Sequence, residues 1–193
     1  KELSTEEVYE LIDQWVEAGK RSVAAGFDMI EIHAAHGYLV HQFLSPLTNQ
    51  RTDEFGGNAE NRARFLVEIV KKMRAAIGEK YPILIRFSVT DYHPDGFTVS
   101  DAAQVARWCH EVGADLFDIS SGGLITGVKI PIGPGYQVPL SEEMSKGVDA
   151  PVSAVGLITD AKQAEHILQT TDIDVIMIAR LSLSCLLYTS PSP

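Results

Sequence analysis

His33, His36 and Tyr38 lie close together where an apolar stretch, Ile30 to His33, runs out into a loop dense in Gly, Asn, Asp and Arg. Two imidazoles and a phenol at a strand mouth suit one chemistry well. Neutral imidazole N–H groups grip a carbonyl or phenolate oxygen, and a tyrosine beside them gives up a proton. A lone histidine is more often a structural one, but two beside a tyrosine argue against that. The HxxH spacing with His41 nearby also raises a metal site. Zinc sites show a further ligand at recognisable spacing, none stands out here, and no metal is assigned.

The elements that must hold these groups alternate between helical and strand patterns. Ser4 and Glu7 form a capping-box pattern, and Val8, Leu11, Ile12, Trp15, Val16 and Val23 recur at helical spacing up to Gly26. Strands are expected at 28–33, 83–88, 115–120, 152–155 and 174–179. Helices capped by Asn58, Ser100 and Thr159 should separate them. The helix after Asn58 places Phe65, Leu66, Ile69, Val70, Met73 and Ile77 on one face. Short β-branched strands joined through helices mean parallel pairing.

An open doubly wound sheet and a (β/α)8 barrel both satisfy that pattern. His33, Arg86, Ser120, Gly156 and Arg180 all fall at or just beyond the C-terminal ends of successive strands. Barrels gather chemistry at that face, whereas open sheets do so mainly at one switch point. No GxGxxG turn is present. The barrel is favoured, and because five strands cannot close one, further strands are expected before Lys1.

Alternation of side chains along each strand puts Glu31 and His33 on one face with Arg86, Asp118 and Ser120. Buried charges of this kind need partners. Glu31, Arg86 and Asp118 therefore make either an internal ion pair or a seat for an electron-rich ligand. Gly156 and the Ala179–Arg180 pair, at two successive strand ends, form a candidate phosphate cradle. The loop from Asn49 to Asn61, with Gly56, Gly57, Arg51, Asp53, Glu54 and Arg62, is expected to be scaffold.

Composition limits the alternatives. The 193 residues, 45% hydrophobic and 22% charged, are globular in character. A formal net charge of −10 argues against nucleic acid or an anionic membrane as partner. Cys109 and Cys185 are far apart with no CxxC, so a reducing, cytoplasmic setting is expected. No apolar run has transmembrane length. No lysine lies at a strand end, which disfavours an aldolase-type barrel.

HAAHGYL, FLSPLTNQRTDEFGGNAENRARF, VTDYHPDG, DISSGG, PGYQVP and AVGLIT, in this order, resemble the Old Yellow Enzyme family, in its compact bacterial ene-reductase branch. The resemblance runs from about Ser4 to Arg180. It implies an incomplete α/β TIM (β/α)8 barrel, approximately strands four to eight. It also implies FMN as cofactor, NADPH or NADH as hydride donor, and an enone-type small molecule as substrate. His33, Ala34, Ala35, His36 and Tyr38 would bind that substrate. His33 and His36 would hold its oxygen, and Tyr38 would protonate the α-carbon. Arg86, Gly156, Ala179 and Arg180 would bind FMN, with Arg86 beside the ring and the other three on the phosphate. Ala179 departs from the family's usual glycine.

The parent protein is expected to be a homo-oligomer. Residues 1–180 are expected to be the C-terminal part of one barrel domain. The Ser/Pro-rich stretch 181–193 reads as a non-native or disordered tail. A noncatalytic barrel module and a dienoyl-CoA reductase-type flavoenzyme are the alternative readings.

Overall fold

The computed structural model describes residues 2–184. Its elements, in order, are α1 (Thr5–Ala24), β1 (Ile30–Ala34), α2 (Leu39–Leu44), α3 (Ala59–Ile77), β2 (Ile83–Ser88) and α4 (Val99–Glu111). They continue as β3 (Leu116–Ser120), α5 (Val138–Ser145), β4 (Val152–Ala154), α6 (Ala161–Thr170), β5 (Val175–Ile176) and α7 (Arg180–Ser184). The five strands are all parallel and lie in the order β1-β2-β3-β4-β5. A doubly wound sheet reverses its strand order at a switch point. This one never does, which is the winding of a barrel.

Local signals account for most boundaries. Ser4 and Glu7 close the expected capping box on α1, and the Asn58 side chain caps α3. The cap of α4 is Thr98 with Asp101, not Ser100, and the cap of α6 is Asp160, not Thr159. In each case the residue whose oxygen reaches the third amide of the helix wins over its neighbour. The fifth strand is only Val175–Ile176, much shorter than 174–179, and α7 begins at Arg180. The expected break at residue 181 falls inside α7; residues 185–193, with Cys185, lie outside the described residues. Three short helices, α2, α5 and α7, carry too few periodic positions to be read from pattern.

One face of the sheet meets the helices. Ile32, Ala34, Ile83, Ile85, Phe87, Phe117, Ile119, Val152 and Ala154 are buried there. All six apolar positions expected on α3 are buried in the same core. Phe43 of α2 stacks on Phe65 of α3 at 4.4 Å between ring centroids, and Phe55 from the long loop meets Phe43 edge-on. Each such phenylalanine contributes on the order of 2–3 kcal/mol of burial. Below the sheet, Arg74 of α3 is buried and donates to the carbonyls of Gly78, Tyr81 and Gly113 and to the Asp115 carboxylate. The same carboxylate accepts the Ile83 amide at the start of β2 (2.7 Å), so one pair ties α3 to two strands.

The 49–61 loop is cross-linked as a scaffold should be. Asn49 Nδ2 donates to the carbonyls of Phe43 and Phe55, both at 2.7 Å. Arg51 grips Asp53 with two nitrogens and reaches the Leu3 carbonyl, while Thr5 donates to Asp53. The Asp53 carboxyl is held well below its ordinary value, chiefly by Arg51. Arg62 ties the loop to the Leu44 and Gly57 carbonyls.

Candidate functional site

The other face of the sheet carries the polar residues, and strand register aligns them. His33 pairs with Arg86, Arg86 with Asp118, and Asp118 with Ser153, so one row crosses four strands. Arg86 Nη1 lies 3.2 Å from Asp118 Oδ2, and Ser153 donates to Asp118 Oδ1 at 2.5 Å. Asp118 is buried. The expected charged layer is thus a pair: Glu31 is exposed and makes no ion pair with Arg86.

Arg86 Nε is the informative atom. It is buried and has no hydrogen-bond partner among the described residues. A buried guanidinium N–H left open is costly, and it marks where an electron-rich group belongs.

Above this row the chain turns sharply. β1 ends at Ala34, and His36 and Gly37 both take positive φ, +57° and +76°. A Cβ on Gly37 would lie 2.6 Å from the Gly123 carbonyl oxygen, so that position needs glycine. Ser88 Oγ accepts the His36 amide at 3.0 Å, and His41 Nδ1 accepts the Gly37 amide at 3.0 Å. The turn brings together all three groups expected to do chemistry. His33 lies 5.2 Å from His36 and 5.4 Å from Tyr38, ring centre to ring centre. Tyr38 is 64% exposed, which leaves its phenol accessible. Ala34 and Ala35, expected to line the substrate site, are fully buried, Ala34 within the core.

Electrostatics keep both imidazoles neutral at neutral pH. Burial and the Arg86 charge lower His33, against a smaller opposing pull from Asp118. Burial, then Arg86, His33 and His41, lower His36 to about 4.

His41 is not a third member of that cluster. It is fully buried and faces Asp91, also fully buried, across 2.9 Å from Nε2 to Oδ1. The contact lies off the ring N–H axis, so it falls short of an aligned hydrogen bond, and neither atom has another partner. Because Nδ1 accepts from Gly37, the proton on a neutral His41 is on Nε2, toward Asp91. Ser45 Oγ and the Phe97 amide also donate to Asp91, at 2.6 and 2.7 Å. Burial raises the cost of ionising Asp91, yet the His41 ring facing it and the donors Ser45 and Phe97 outweigh that and hold its carboxyl below the ordinary value.

At the far end, a cavity of about 260 Å³ is lined by His36, Arg86, Ser120, Gln137, Gly156 and Arg180, among others. Gly156 has φ +121°, and its carbonyl accepts the Gly135 amide at 2.8 Å. A Cβ there would meet Tyr136 and Gln137 at 3.1 Å. Gly156, Ala179 and Arg180 all line this cavity, together with His36 and Arg86. Gln137, within the PGYQVP motif, also lines the cavity and is only 2% exposed. Sequence reading had no role for it, because only the fold shows what its amide touches.

An open Arg86 Nε, a row of neutral imidazoles and a glycine-turned wall fit a planar, electron-rich cofactor bearing phosphate. Similarity to known proteins agrees. The chain is 46% identical over 178 residues to an NADPH dehydrogenase of Bacillus cytotoxicus, covering 92% of this chain and 51% of that protein. It thus spans about half the length of that relative. Among solved structures, a 2-naphthoyl-CoA reductase bound to 2-naphthoyl-CoA is 33% identical, with a TM-score of 0.83 over 91% of this chain and 28% of its own. An old yellow enzyme homologue from Zymomonas mobilis is 24% identical, with a TM-score of 0.77 over the whole of this chain and 55% of its own, and shows the shared barrel fold. The model of the NADH:flavin oxidoreductase / NADH oxidase family matches residues 1–185, and the chain belongs to that family.

Proposed function

We propose that this chain supplies the substrate-facing and phosphate-facing walls of an FMN-dependent NAD(P)H oxidoreductase that reduces activated carbon–carbon double bonds. The observation that carries this reading is the row His33–Arg86–Asp118, with its open Arg86 Nε beneath the His33, His36 and Tyr38 cluster. Membership of the flavin oxidoreductase family supports it, as does likeness to an NADPH dehydrogenase. FMN bound here would take hydride from NAD(P)H and deliver it to the β-carbon of an alkene conjugated to a carbonyl or nitro group.

The chain's own residues do the rest. Arg86, steadied by Asp118, would meet the electron-rich ring. Gly156, Ala179 and Arg180 would hold the phosphate. His33 and His36, kept neutral, would donate to the substrate oxygen as it gains negative charge, which accelerates the step. Tyr38, exposed beside His33, would give the proton that completes reduction at the α-carbon.

Phenols mimic that oxygen without reacting. In the full-length protein carrying this chain, His33→Ala with His36→Ala should weaken phenol binding to the oxidised flavoprotein at least ~10-fold, about 1.4 kcal/mol. Unchanged phenol affinity removes the assigned role of the pair. A second reading, an acyl-CoA substrate, is favoured by the likeness to 2-naphthoyl-CoA reductase. Comparing kcat/KM for a 2-enoyl-CoA thioester with that for a free enone decides between them.

A further inference from the structure

His36 has a φ of +57°, which a residue with a side chain adopts only where its surroundings hold it. Successive amides in a tight turn can cradle an anion. Here they are spent inside the protein. The His36 amide goes to Ser88 Oγ and the Gly37 amide to His41 Nδ1, both at 3.0 Å, and the Tyr38 amide reaches the Ala35 carbonyl at 3.2 Å. None of the three is left for a ligand, so recognition falls to the side chains that the turn carries.

Ser88 differs from the other acceptors because its hydroxyl has a second task. It is fully buried and donates to the Gly122 carbonyl at 2.7 Å. Its one proton is spent there, so a lone pair meets the His36 amide. Gly122 and Gly123, in the turn after β3, are left-handed as well, with φ +67° and +87°. A Cβ on Gly123 would lie 2.8 Å from His36 Cα, so the two turns meet backbone to backbone. One hydroxyl on the strand between them thus joins the turn after β1 to the turn after β3. Ser88 also sits two residues beyond Arg86 on β2, on the same face of the sheet. Whatever ties His36 to Ser88 therefore also sets its height over Arg86.

We infer that Ser88 is a positioning residue. By receiving the His36 amide and donating to Gly122, it holds His36 at a fixed distance from Arg86, and so sets a ligand oxygen against the ring that Arg86 meets. Ser88 acts on the ligand through the backbone of His36. That purpose rests on the reading of His36 as a ligand-binding group; the hydrogen bonds do not.

Ser88→Ala, made in the full-length flavoprotein carrying this chain, removes the hydroxyl and little volume. Hydrogen–deuterium exchange over residues 34–39 should quicken about 5-fold, and phenol affinity of the oxidised protein should fall about as much, as one lost hydrogen bond would give. FMN content should stay stoichiometric. If the alanine variant does not fold, Ser88→Cys keeps the volume, weakens the acceptor and gives the same readouts. Arg74→Met, which destabilises the opposite ends of the strands, should leave phenol affinity unchanged. Wild-type exchange over residues 34–39, or wild-type phenol affinity, in a folded and FMN-loaded Ser88→Ala protein overturns the inference. So does an equal loss of phenol affinity in Arg74→Met. Should His33→Ala with His36→Ala leave phenol affinity unchanged, the functional reading falls, and exchange over residues 34–39 alone decides for or against the Ser88 brace.

Discussion

Burial, with Arg86 and the neighbouring histidines, takes the His36 imidazole from an ordinary 6.5 to about 4. Between those values the unfolded chain binds a proton that the folded chain refuses. The contribution of His36 to stability is thus complete above about pH 6.5 and falls as pH drops toward 4. Urea unfolding at neutral pH and near pH 4.5 should show wild type losing more stability than His36→Asn, whose side chain does not titrate. Equal losses would show that His36 is not the group involved. Asp91 is the second residue to test. Its carboxylate receives Ser45, Phe97 and His41, all of them buried around it. Asp91→Ala leaves those donors unanswered and should cost on the order of 3 kcal/mol in urea unfolding. It should also loosen the Gly37 turn that His41 holds, weakening phenol binding.

Between elements, the sharpest dependence is on Arg74. It spans from α3 to the carbonyls of Tyr81 and Gly113 and to Asp115, whose carboxylate also takes the first amide of β2. Arg74→Met retains the stem but abandons these acceptors, and chemical denaturation should report a loss of about 3 kcal/mol. A change below about 0.5 kcal/mol would mean that solvent replaces the guanidinium freely. The core faces of α1 and α3 were legible because 3.6-residue periodicity is imposed by the helix itself. The caps of α4 and α6 slipped because Ser100 and Thr159 have the right chemistry, but Thr98 and Asp160 have the right position. The fifth strand was overcalled for a different reason. Apolar residues after Ile176 suit a strand, yet the cavity wall and α7 take them.

At the scale of the whole molecule, the two faces of the sheet differ. The helix-facing side is packed with apolar side chains, while the side bearing Glu31, His33 and Arg86 is only partly covered by this chain. The cavity beside Arg86 is lined from β2, the end of β3, the segments after β1, β3, β4 and β5, and the start of α7. Titrated with FMN, the 193-residue chain should bind on the order of 100-fold more weakly than a protein with all eight βα units, about 2.8 kcal/mol. Flavin fluorescence measures this directly, and equal affinity would mean that these walls alone hold the cofactor.

His33, His36, Tyr38, Arg86 and the Gly156 turn were all recognisable from residue type and from position at strand ends, since a parallel βα architecture delivers such ends to one face. Helix periodicity and strand alternation, being local, likewise determined which faces are apolar. Tertiary structure alone decided the partners. Register aligned His33 with Arg86 and Asp118 while leaving Glu31 outside, and folding aimed His41 at Asp91 instead of at its neighbouring histidines. It also brought Ser120 and Gln137, distant in sequence from His36, into one buried hydrogen-bond chain with it. Hydrogen bonds are made across angstroms between groups far apart along the chain, and no spacing within one segment encodes where the other segment will lie.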